Sequence, residues 1–248
     1  MSASCRGAAR IVQFNWPFYA FATTLAGAAA VAASVVPAGS WWQLAFLGVA
    51  LVAGFWIVGS IGASWLVYDQ SALMRGTWIP AALGFTPRSW MVITAGFDEL
   101  TPILRTAFAE SPGRAFDIYD PAAMTERSIA RARQWAGAPA ERAEPARLPL
   151  ADRSVHAAVL PLSAHELRTH EGRCGLLAEV HRALASDGRV LVVEHLRDVA
   201  NFVAFGPGVL HFHSRRTWLR CFAGAGLAIQ RELTITPFVR VFVLGRPS

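Results

Sequence analysis

The sequence predicts an α/β fold in two parts: a hairpin of two membrane-spanning helices, followed by a mostly parallel β-sheet with helices on both faces. The hairpin is indicated by a stretch without Asp, Glu, Lys or Arg, which lies between Arg10 and Asp69. The sheet is indicated by short apolar runs that alternate with segments of helical periodicity after Asp69. This second part carries charges of both signs, which is typical of a soluble domain.

Two apolar stretches of suitable length form the predicted hairpin. At about 1.5 Å per residue, a helix over residues 16–36 spans about 31 Å, which matches the hydrocarbon core of a bilayer. A Pro-Ala-Gly-Ser turn at 37–40 separates it from a second span over 41–66, which has tryptophans at both ends. Small side chains in the second span would allow close helix contact: Gly48, Ala50, Gly54, Gly59 and Gly62. The chain then divides into an N-terminal segment 1–15, a hairpin 16–67, a connecting segment 68–89 and a domain 90–248.

The charges beside the hairpin predict its orientation. Arg6 and Arg10 precede the first span, Arg75 and Arg88 follow the second, and the turn between the spans is uncharged. Under the positive-inside rule, both ends of this multi-pass segment and the domain lie on the cytoplasmic side of the cell membrane. Two alternatives stay open: a cleaved signal peptide ending near residues 28–30, and a helical pair buried in a soluble protein. Pairing of hairpins between chains would give a homo-oligomer.

The composition limits the classes of partner that the domain is expected to bind. The net charge of +6 rests entirely on arginine, since the sequence contains no lysine. Beside a membrane, a basic surface predicts attraction to anionic lipid headgroups. The sequence has no basic helix or motif of stacking aromatics, so nucleic acid is not an expected partner. The three cysteines, Cys5, Cys174 and Cys221, lack the spacing of a metal or disulfide motif and are expected to be reduced thiols.

After the connecting segment, predicted strands and helices alternate. Short apolar runs predict strands over 90–94, 115–119, 155–160, 189–194, 228–233 and 238–244. Apolar positions spaced by three to four residues predict helices over 99–110, 122–134, 175–184 and 217–225, with a turn at 186–188 after the third. This alternation, with short turns, is typical of a Rossmann-like, mostly parallel sheet that is covered on both faces.

Polar residues follow several of these strands. In sheets of this type, ligands bind beyond the carboxyl ends of the strands, at the point where the strand order reverses. The residues that meet this condition are Gly96, Asp98 and Glu99 after the first strand, Asp117 and Asp120 at the second, Ser163, His165 and Glu166 after the third, and Glu194, His195, Arg197 and Asp198 after the fourth. We expect them to converge on one crevice.

Several segments in this region resemble the motifs of a known family. Asp120 is an acid at the end of the predicted second strand, after the turn at Gly96. Residues 144–150 are similar to an acid-Ala-x-x-Leu-Pro-Phe motif, and residues 176–184 and 186–191 to a Glu-x-x-Arg-x-Leu helix followed by a turn and a strand. From about residue 90 to 194, the chain resembles the class I S-adenosylmethionine-dependent methyltransferases, especially those that act on quinone precursors and lipids.

The resemblance implies a cofactor and the residues that hold it. S-adenosylmethionine is the cofactor of that family, and the matching positions here are Gly96, Asp98, Asp120, Glu144 and Leu148. By the family's pattern, Asp120 would bind the ribose hydroxyls and Glu144 the adenine amine. The glycine motif is degenerate, since residues 94–99 contain one glycine where the family has Gly-x-Gly-x-Gly.

The chemistry then requires few protein groups. The transferred methyl group arrives activated, so the protein must align the acceptor, exclude water and supply a base where the acceptor needs one. His165 is the candidate base, with Glu166 and His195 as alternates. The alternative without a catalytic role is that His165 and Glu166 form a solvated pair at a helix N-terminus.

Two histidine groups were weighed as metal sites. His165 and His170 resemble a zinc-protease pair, but they would lie about 140° apart around a helix, so one ion could not easily reach both. His211 and His213 would lie on one side of a strand and could hold a metal with His195 or Asp198. Without a third ligand that the sequence specifies, no metal is expected.

Two segments have alternative interpretations. Residues 201–212 are apolar and glycine-rich and precede Arg215 and Arg216, which indicates either a lid in the membrane interface or a buried connection. Tyr68 and Asp69 either line the mouth of the crevice or form an ordinary interfacial helix end.

The sequence therefore predicts a membrane-anchored methyltransferase that acts on a lipophilic small molecule, such as a quinone precursor or a lipid. Two alternatives come from other classes. A domain that has lost catalysis would serve as a membrane-bound interaction module. An enzyme with the same cofactor could transfer a different group with a metal at the histidines.

Overall fold

The structure is a computed structural model that describes residues 6–96, 98, 100–135 and 139–247. Phe97 and Glu99 of the predicted cofactor turn, and Cys5, lie outside the described residues. The strands are β1 Trp90–Thr94, β2 Gly113–Asp117, β3 Glu141–Arg142, β4 Val155–Pro161, β5 Leu184–His195, β6 Ala228–Thr236 and β7 Val239–Gly245. The helices are α1 Arg6–Phe14, α2 Trp16–Val35, α3 Trp41–Trp65, α4 Trp78–Leu83, α5 Leu100–Ala107, α6 Arg127–Ala132, α7 His170–Ala183, α8 Val199–Phe205 and α9 Arg215–Gly224.

Among the described residues, seven strands form one sheet in the order β3-β2-β1-β4-β5-β7-β6. Strands β1 to β5 pair in parallel, and β7 runs antiparallel to both β5 and β6. The strand order reverses between β1 and β4, so the crevice for a ligand is expected beyond the carboxyl ends of these two strands. The prediction of a mostly parallel α/β sheet is confirmed.

Helices cover both faces of this sheet. On one face, α4 and α5 contribute the buried side chains of Ile79, Leu83 and Leu104. On the other face, α7 and α9 contribute Leu177 and Trp218, among others. Strand β1 is buried along its whole length, and β4 and β5 are buried along most of theirs, which explains why their sequences are largely apolar rather than alternating.

Three local predictions were wrong. The helix expected over 122–134 begins only at Arg127, because Asp120 closes a turn in which its side chain accepts from the Ala122 N–H at 2.9 Å. Strand β2 ends at Asp117, whose side chain accepts from the Tyr119 N–H and bends the chain two residues early. The turn expected at 186–188 lies inside β5, where an irregularity in the pairing with β4 absorbs it.

The hairpin forms as two long helices joined by a short turn. Ser40 caps α3, and the Gln43 side chain binds Gly39 N and Ala33 O, which fastens the two helices at the tip. Helices Trp16–Val35 and Trp41–Arg75 are long and apolar enough to cross a membrane by length and composition. Only 17% and 11% of their most apolar windows are buried, so the described chain does not enclose them in a core of its own.

A short helix, α1, joins the hairpin to the domain, where the sequence indicated only an N-terminal segment. Its first turn is held by Asp69, whose two carboxylate oxygens accept from Gly7 N and Ala8 N at 2.8 Å each. A carboxylate at a helix N-terminus satisfies unpaired N–H groups and the positive end of the helix dipole. Gly7 permits this approach, because a Cβ at that position would lie 2.6 Å from Tyr68 Cβ.

The hairpin also packs against α8. Trp56 of α3 contacts the Phe202 ring edge to face at 5.9 Å, and Gly59 faces the carbonyl of Ala204. Gly206, with φ of +55°, sits against the Trp56 ring where a Cβ would collide. These contacts place the base of α3 over the carboxyl edge of the sheet, directly above the predicted crevice.

A candidate active site beneath the hairpin

A cavity of about 450 Å³ lies at the carboxyl edge of the sheet. Its floor comes from residues that follow β1, β4 and β5, including Gly96, His165 and His195. Its walls and roof come from α1, α2, α3 and α8, with Phe14, Phe18, Tyr19, Ser60, Tyr68 and Phe205 among the lining residues. The volume suits a small-molecule site, and the lining is largely apolar with a few polar groups.

The His165 side chain lies between two glutamates at the floor of this cavity. Its Nδ1 atom is 2.6 Å from Oε2 of Glu194, and its Nε2 atom is 3.2 Å from Oε1 of Glu166. Glu194 is the penultimate residue of β5 and is completely buried, while His165 and Glu166 sit in a 3-10 turn just after β4. The alternative of a solvated pair is therefore wrong, because β4 and β5 bring both side chains under the roof formed by α1 and the hairpin.

The two glutamates decide the protonation of His165. Burial alone would lower the pKa of His165, but the charge of Glu194 and the hydrogen bonds to both glutamates outweigh it and raise the pKa to about 10. Burial would likewise raise the pKa of Glu166, but hydrogen bonds from His165 and His211 lower it to about 2. At neutral pH, the imidazole of His165 is thus protonated and lies between the side chains of Glu194 and Glu166.

His195 is held differently. Its Nδ1 atom donates to the carbonyl of Phe238 at 2.8 Å, so its Nε2 atom is left as an acceptor for the Tyr68 hydroxyl at 3.3 Å. The ring stacks on Phe212 at 4.9 Å. Burial lowers the pKa of His195 to about 4, assisted by the positive charge of His165, so this imidazole is neutral. Tyr68 thereby lines the cavity, which was one of its two sequence interpretations.

His211 and His213 point in different directions, so the structure does not bring this pair together as ligands of one metal ion. His213 is buried against Arg173, with 2.9 Å between Nη1 and Nε2, and burial followed by the charge of Arg173 lowers its pKa to about 3. His211 instead faces the cavity, 3.5 Å from Glu166 and 3.6 Å from Glu126. The two diverge because residues 206–211 form a 3-10 turn instead of a strand. His165, Glu166 and His211 do offer ligand atoms within 4.8 Å of one another.

Residues 201–212, for which a lid in the membrane interface and a buried connection were the two interpretations, have one face in the cavity and one exposed face. Phe205 and Phe212 pack on His195 inside the cavity. Val199, Phe202, Val203 and Leu210 face outward and are exposed. Residues 199–212 therefore close one side of the cavity with one face and present an apolar surface with the other.

The predicted cofactor residues do not all reach the cavity. Gly96 lines it. Asp98 is buried beside it, where Oδ1 caps α5 by accepting from Leu100 N and Thr101 N, and Oδ2 is buried without a hydrogen-bond partner in the described residues. Asp120 and Glu144 are exposed and do not line it. Leu148 is buried and its N–H donates to Glu179.

Asp117 is the carboxylate that stands at the tip of β2, three residues before Asp120. Its Oδ2 atom pairs with Arg133 at 2.7 Å, and the Arg133 guanidinium lies over the Tyr119 ring at 4.2 Å. From the sequence, Asp117 was expected inside the strand, and Asp120 was the predicted ribose-binding residue. The signal that would have selected Asp117 is its ability to close a turn on Tyr119, which ends the strand there.

These residues fit S-adenosylmethionine at the methionyl end. Among the described residues, the buried Oδ2 of Asp98 has no donor, and an ammonium group would supply one. Gly96 lines the cavity without a side chain. Asp117 does not line the cavity, and its Oδ2 atom could bind the ribose hydroxyls beyond the end of β2 only if Arg133 gives up its ion pair.

The hairpin supplies polar groups that sequence reasoning missed. The Tyr19 hydroxyl and Ser60 Oγ lie 2.6 Å apart and join α2 to α3 where both helices line the cavity. A tyrosine and a serine inside uncharged apolar spans are the signal that would have indicated them, because polar groups in such helices normally face a partner.

No protein-family model and no curated protein matches this chain. Solved structures do match it. A SAM-dependent methyltransferase from Aquifex aeolicus is 16% identical and superposes with a TM-score of 0.53 over 71% of this chain and 93% of that protein.

Two further structures match nearly the whole chain, including the N-terminal helices. The mitomycin 7-O-methyltransferase MmcR is 18% identical, with a TM-score of 0.56 over 99% of this chain and 73% of its own. The pyocyanin biosynthetic protein PhzM is 19% identical, with a TM-score of 0.58 over 100% and 74%. At these identities the likeness shows a shared fold, the Rossmann-like fold of SAM-dependent methyltransferases.

Proposed function

We propose that this protein is a membrane-anchored, S-adenosylmethionine-dependent methyltransferase that transfers a methyl group to a hydroxyl of a lipophilic small molecule, such as a quinone precursor or a lipid. One observation carries the proposal: a buried His165–Glu194 pair points into a largely apolar cavity that is roofed by the hairpin. The shared fold with SAM-dependent methyltransferases supports it.

The cofactor would lie along the carboxyl ends of β1 and β2. Asp98 would hold the ammonium group, Gly96 would allow close backbone approach, and Asp117 would hold the ribose hydroxyls. Asp120 and Glu144 stay predictions for the nucleoside end. When bound, the cofactor supplies a methyl group that is already activated for displacement, so the chain itself needs to align the acceptor and keep water out.

His165 would act as the base for the acceptor hydroxyl. Glu194 holds Nδ1 by the shorter contact, 2.6 Å, whereas the contact of Nε2 with Glu166 is 3.2 Å. The longer contact is the one that an acceptor hydroxyl would replace. The raised pKa of His165, about 10, is close to that of a phenol, about 10, so a proton would move between them at little energetic cost.

The cavity walls favour an apolar acceptor that enters from the hairpin side. Aromatic side chains from α1, α2 and α8 surround the space above His165, among them Phe14, Phe18 and Phe205. Tyr19 and Ser60 lie where the cavity meets the helices of the hairpin. A lipophilic ring bound above His165 would therefore contact a largely apolar wall on the hairpin side of the cavity.

Membrane anchoring through the hairpin is part of the proposal. Between its tip and the contact of Trp56 with α8, α3 projects over residues 41–55, a length of about 23 Å. This is somewhat less than the thickness of about 30 Å of the hydrocarbon core. The exposed Phe202, Val203 and Leu210 would then lie at the headgroup level, with the domain on the cytoplasmic side and lipids as contacts of the hairpin.

The alternative of an interaction module without catalysis has less support. A charged histidine between two buried glutamates is costly to desolvate, and an interaction surface would not require it. The alternative of a metal-assisted transfer has one observation in its favour, the grouping of His165, Glu166 and His211 around the cavity. Metal analysis of the purified full chain, with and without His211→Asn, tests that case.

Calorimetry of S-adenosylmethionine binding tests the proposal first, on the full chain in detergent. We expect binding in the intact protein and a loss of at least tenfold in affinity in Asp98→Asn and Asp117→Asn. Asp187→Asn is the matched control, since Asp187 is exposed and does not line the cavity. If the intact protein does not bind S-adenosylmethionine, the proposed methyltransferase activity is wrong.

The acceptor is then sought in lipid extracts. Extracts of cells with and without the chain are compared for a mass increase of one methylene group. We expect such a product to appear with the intact protein and to disappear in His165→Ala. Carbonate washing and protease accessibility of the domain test the anchoring and its sidedness.

A further inference from the structure

A second cluster of ligand-type side chains lies outside the cavity, between α7 and α9. His170 is the first residue of α7, and Cys174 follows one turn later on the same face. Cys221 projects from α9, which packs against α7. The three residues do not line the cavity, and the proposed function leaves them without a role.

The distances within this cluster match those of a metal site. His170 Nδ1 lies 3.3 Å from the sulfur of Cys221 and 3.8 Å from the sulfur of Cys174, and all three ligand atoms fall within 4.8 Å of one another. A tetrahedral zinc ion at ordinary bond lengths holds sulfur and nitrogen about 3.6 Å apart. The observed separations lie on either side of this value, so small side-chain rotations would bring the three atoms around one ion.

The chemistry of the three ligands selects a class of ion. Two thiolates and a neutral imidazole balance the charge of a divalent cation, and thiolate ligands favour soft or borderline d¹⁰ ions over magnesium or calcium. Cys221 is buried, Cys174 is partly exposed and His170 is exposed. An ion would therefore enter from solvent, and its fourth position would remain open to water.

We propose that His170, Cys174 and Cys221 form a zinc site that clamps α7 to α9. Sequence reasoning discounted these cysteines because their spacing matches no motif, but the packing of two helices brings them together. By holding α7 in place, the zinc ion would also support the segment that carries His165. Arg173, in the same turn of α7, donates to the carbonyls of Leu167 and Arg168 at 2.6 and 2.9 Å.

Cobalt titration of the full chain tests this site. The protein is prepared without a tag, in detergent, metal-free and with a non-thiol reductant. We expect one Co²⁺ per chain with a thiolate-to-cobalt charge-transfer band, displacement of Co²⁺ by Zn²⁺, and a higher thermal midpoint with Zn²⁺. Cys174→Ser and His170→Asn should each weaken Co²⁺ binding at least tenfold and remove the stabilisation by Zn²⁺.

Matched controls locate the ion. Cys5→Ser removes the third thiol of the sequence, and His211→Asn removes a ligand of the grouping in the cavity; neither should change the band or the affinity. Cys221 is buried, so its variant could fail to fold, and the conclusion depends on the two more accessible positions. Co²⁺ binding without the charge-transfer band, a band that survives Cys174→Ser and His170→Asn, or loss of binding in His211→Asn would each overturn the site.

Discussion

The imidazole Nδ1 of His165 lies 2.6 Å from the Glu194 carboxylate, and the second oxygen of that carboxylate accepts from the His165 backbone N–H at 3.2 Å. One completely buried side chain thus holds both the ring and the backbone of the residue that faces the cavity. Because Glu194 accepts from Nδ1–H, the Nε2 atom is the one directed at a bound acceptor. This relationship gives the first two predictions.

The rate of methyl transfer to a hydroxyl acceptor should rise with pH. His165 must lose its proton before it can act as a base, and its pKa is about 10. Below that pKa, the rate should increase about tenfold per pH unit, as for any base that is mostly protonated. Steady-state rates between about pH 6 and 10 provide the measurement. A profile that is flat over this range would contradict the role of His165 and would agree with His195, whose pKa is about 4, as the base.

Replacement of Glu194 by glutamine should move this profile. The amide keeps a hydrogen-bond acceptor for Nδ1–H but removes the charge that raises the pKa of His165. The inflection should shift toward neutral pH by about one to three units, and the maximal rate should fall. Glu171→Gln, at an exposed position of α7, is the control and should leave the profile unchanged. An unshifted inflection in Glu194→Gln would show that Glu194 does not set the basicity of His165.

Replacement of Asp69 by alanine should release α1 from the cavity wall. Both oxygens of Asp69 bind backbone N–H groups of Gly7 and Ala8 at 2.8 Å, and no other cap is described at that helix start. Loss of a cap of this kind costs about 1 kcal/mol. Hydrogen exchange in residues 6–14 should accelerate about fivefold or more, while exchange in β4 and β5 stays unchanged. Asp69→Asn keeps one acceptor and should give an intermediate rate of hydrogen exchange. If exchange in Asp69→Ala is as slow as in the wild type, Asp69 does not hold α1.

Two glycines should respond oppositely to alanine. A Cβ on Gly113 would fall 2.0 Å from the Trp90 ring, which is buried between strand and helix, so Gly113→Ala should destabilise the domain by about 1–3 kcal/mol. Gly175 lies in α7 with open space around its Cα, so Gly175→Ala should stabilise by about 0.5–1 kcal/mol. Chemical unfolding in detergent measures both. Equal effects of the two substitutions would contradict the packing at Trp90.

The thermal midpoint should be highest slightly below neutral pH. His195 and His213 have folded pKa values of about 4 and 3, below the unfolded value, so the unfolded state binds more protons as pH falls and stability decreases below about pH 6.5. His165 has a raised folded pKa, so its contribution is complete below about pH 6.5 and is lost as pH rises toward 10. Calorimetry across this range checks both limbs. His213→Gln should flatten only the acid limb, and an unchanged acid limb would refute its part in the effect.

The pattern of apolar residues alone predicted the two long helices and most of the sheet. A long run without charged residues forms either a membrane-spanning helix or a buried one. A buried parallel strand requires a continuous apolar segment, as at 90–94 and 155–160. The boundaries were less predictable where one side chain decides them. Asp117 and Asp120 each close a local turn, and this shortened β2 and removed the first part of the predicted helix.

At the site, the sequence determined which residues follow the strands, because parallel strands bring their carboxyl ends to one edge. His165, Glu166 and His195 were selected on that ground and do line the cavity. Which of them are paired was decided only by tertiary structure. The partner of His165 on Nδ1 comes from β5 and the hydroxyl beside His195 comes from the end of the hairpin, so both depend on contacts between distant segments.

The same reason explains the remaining differences. Periodicity describes which face of a segment is apolar, but it carries no information on which segment covers that face. The closure of the cavity by α1, its attachment through Asp69 and the approach of Cys221 to His170 all follow from packing between elements far apart in the chain. The separation of His211 from His213 follows from the local 3-10 turn at 206–211. The sequence determined the elements and their apolar faces; the tertiary structure alone decided which side chains meet.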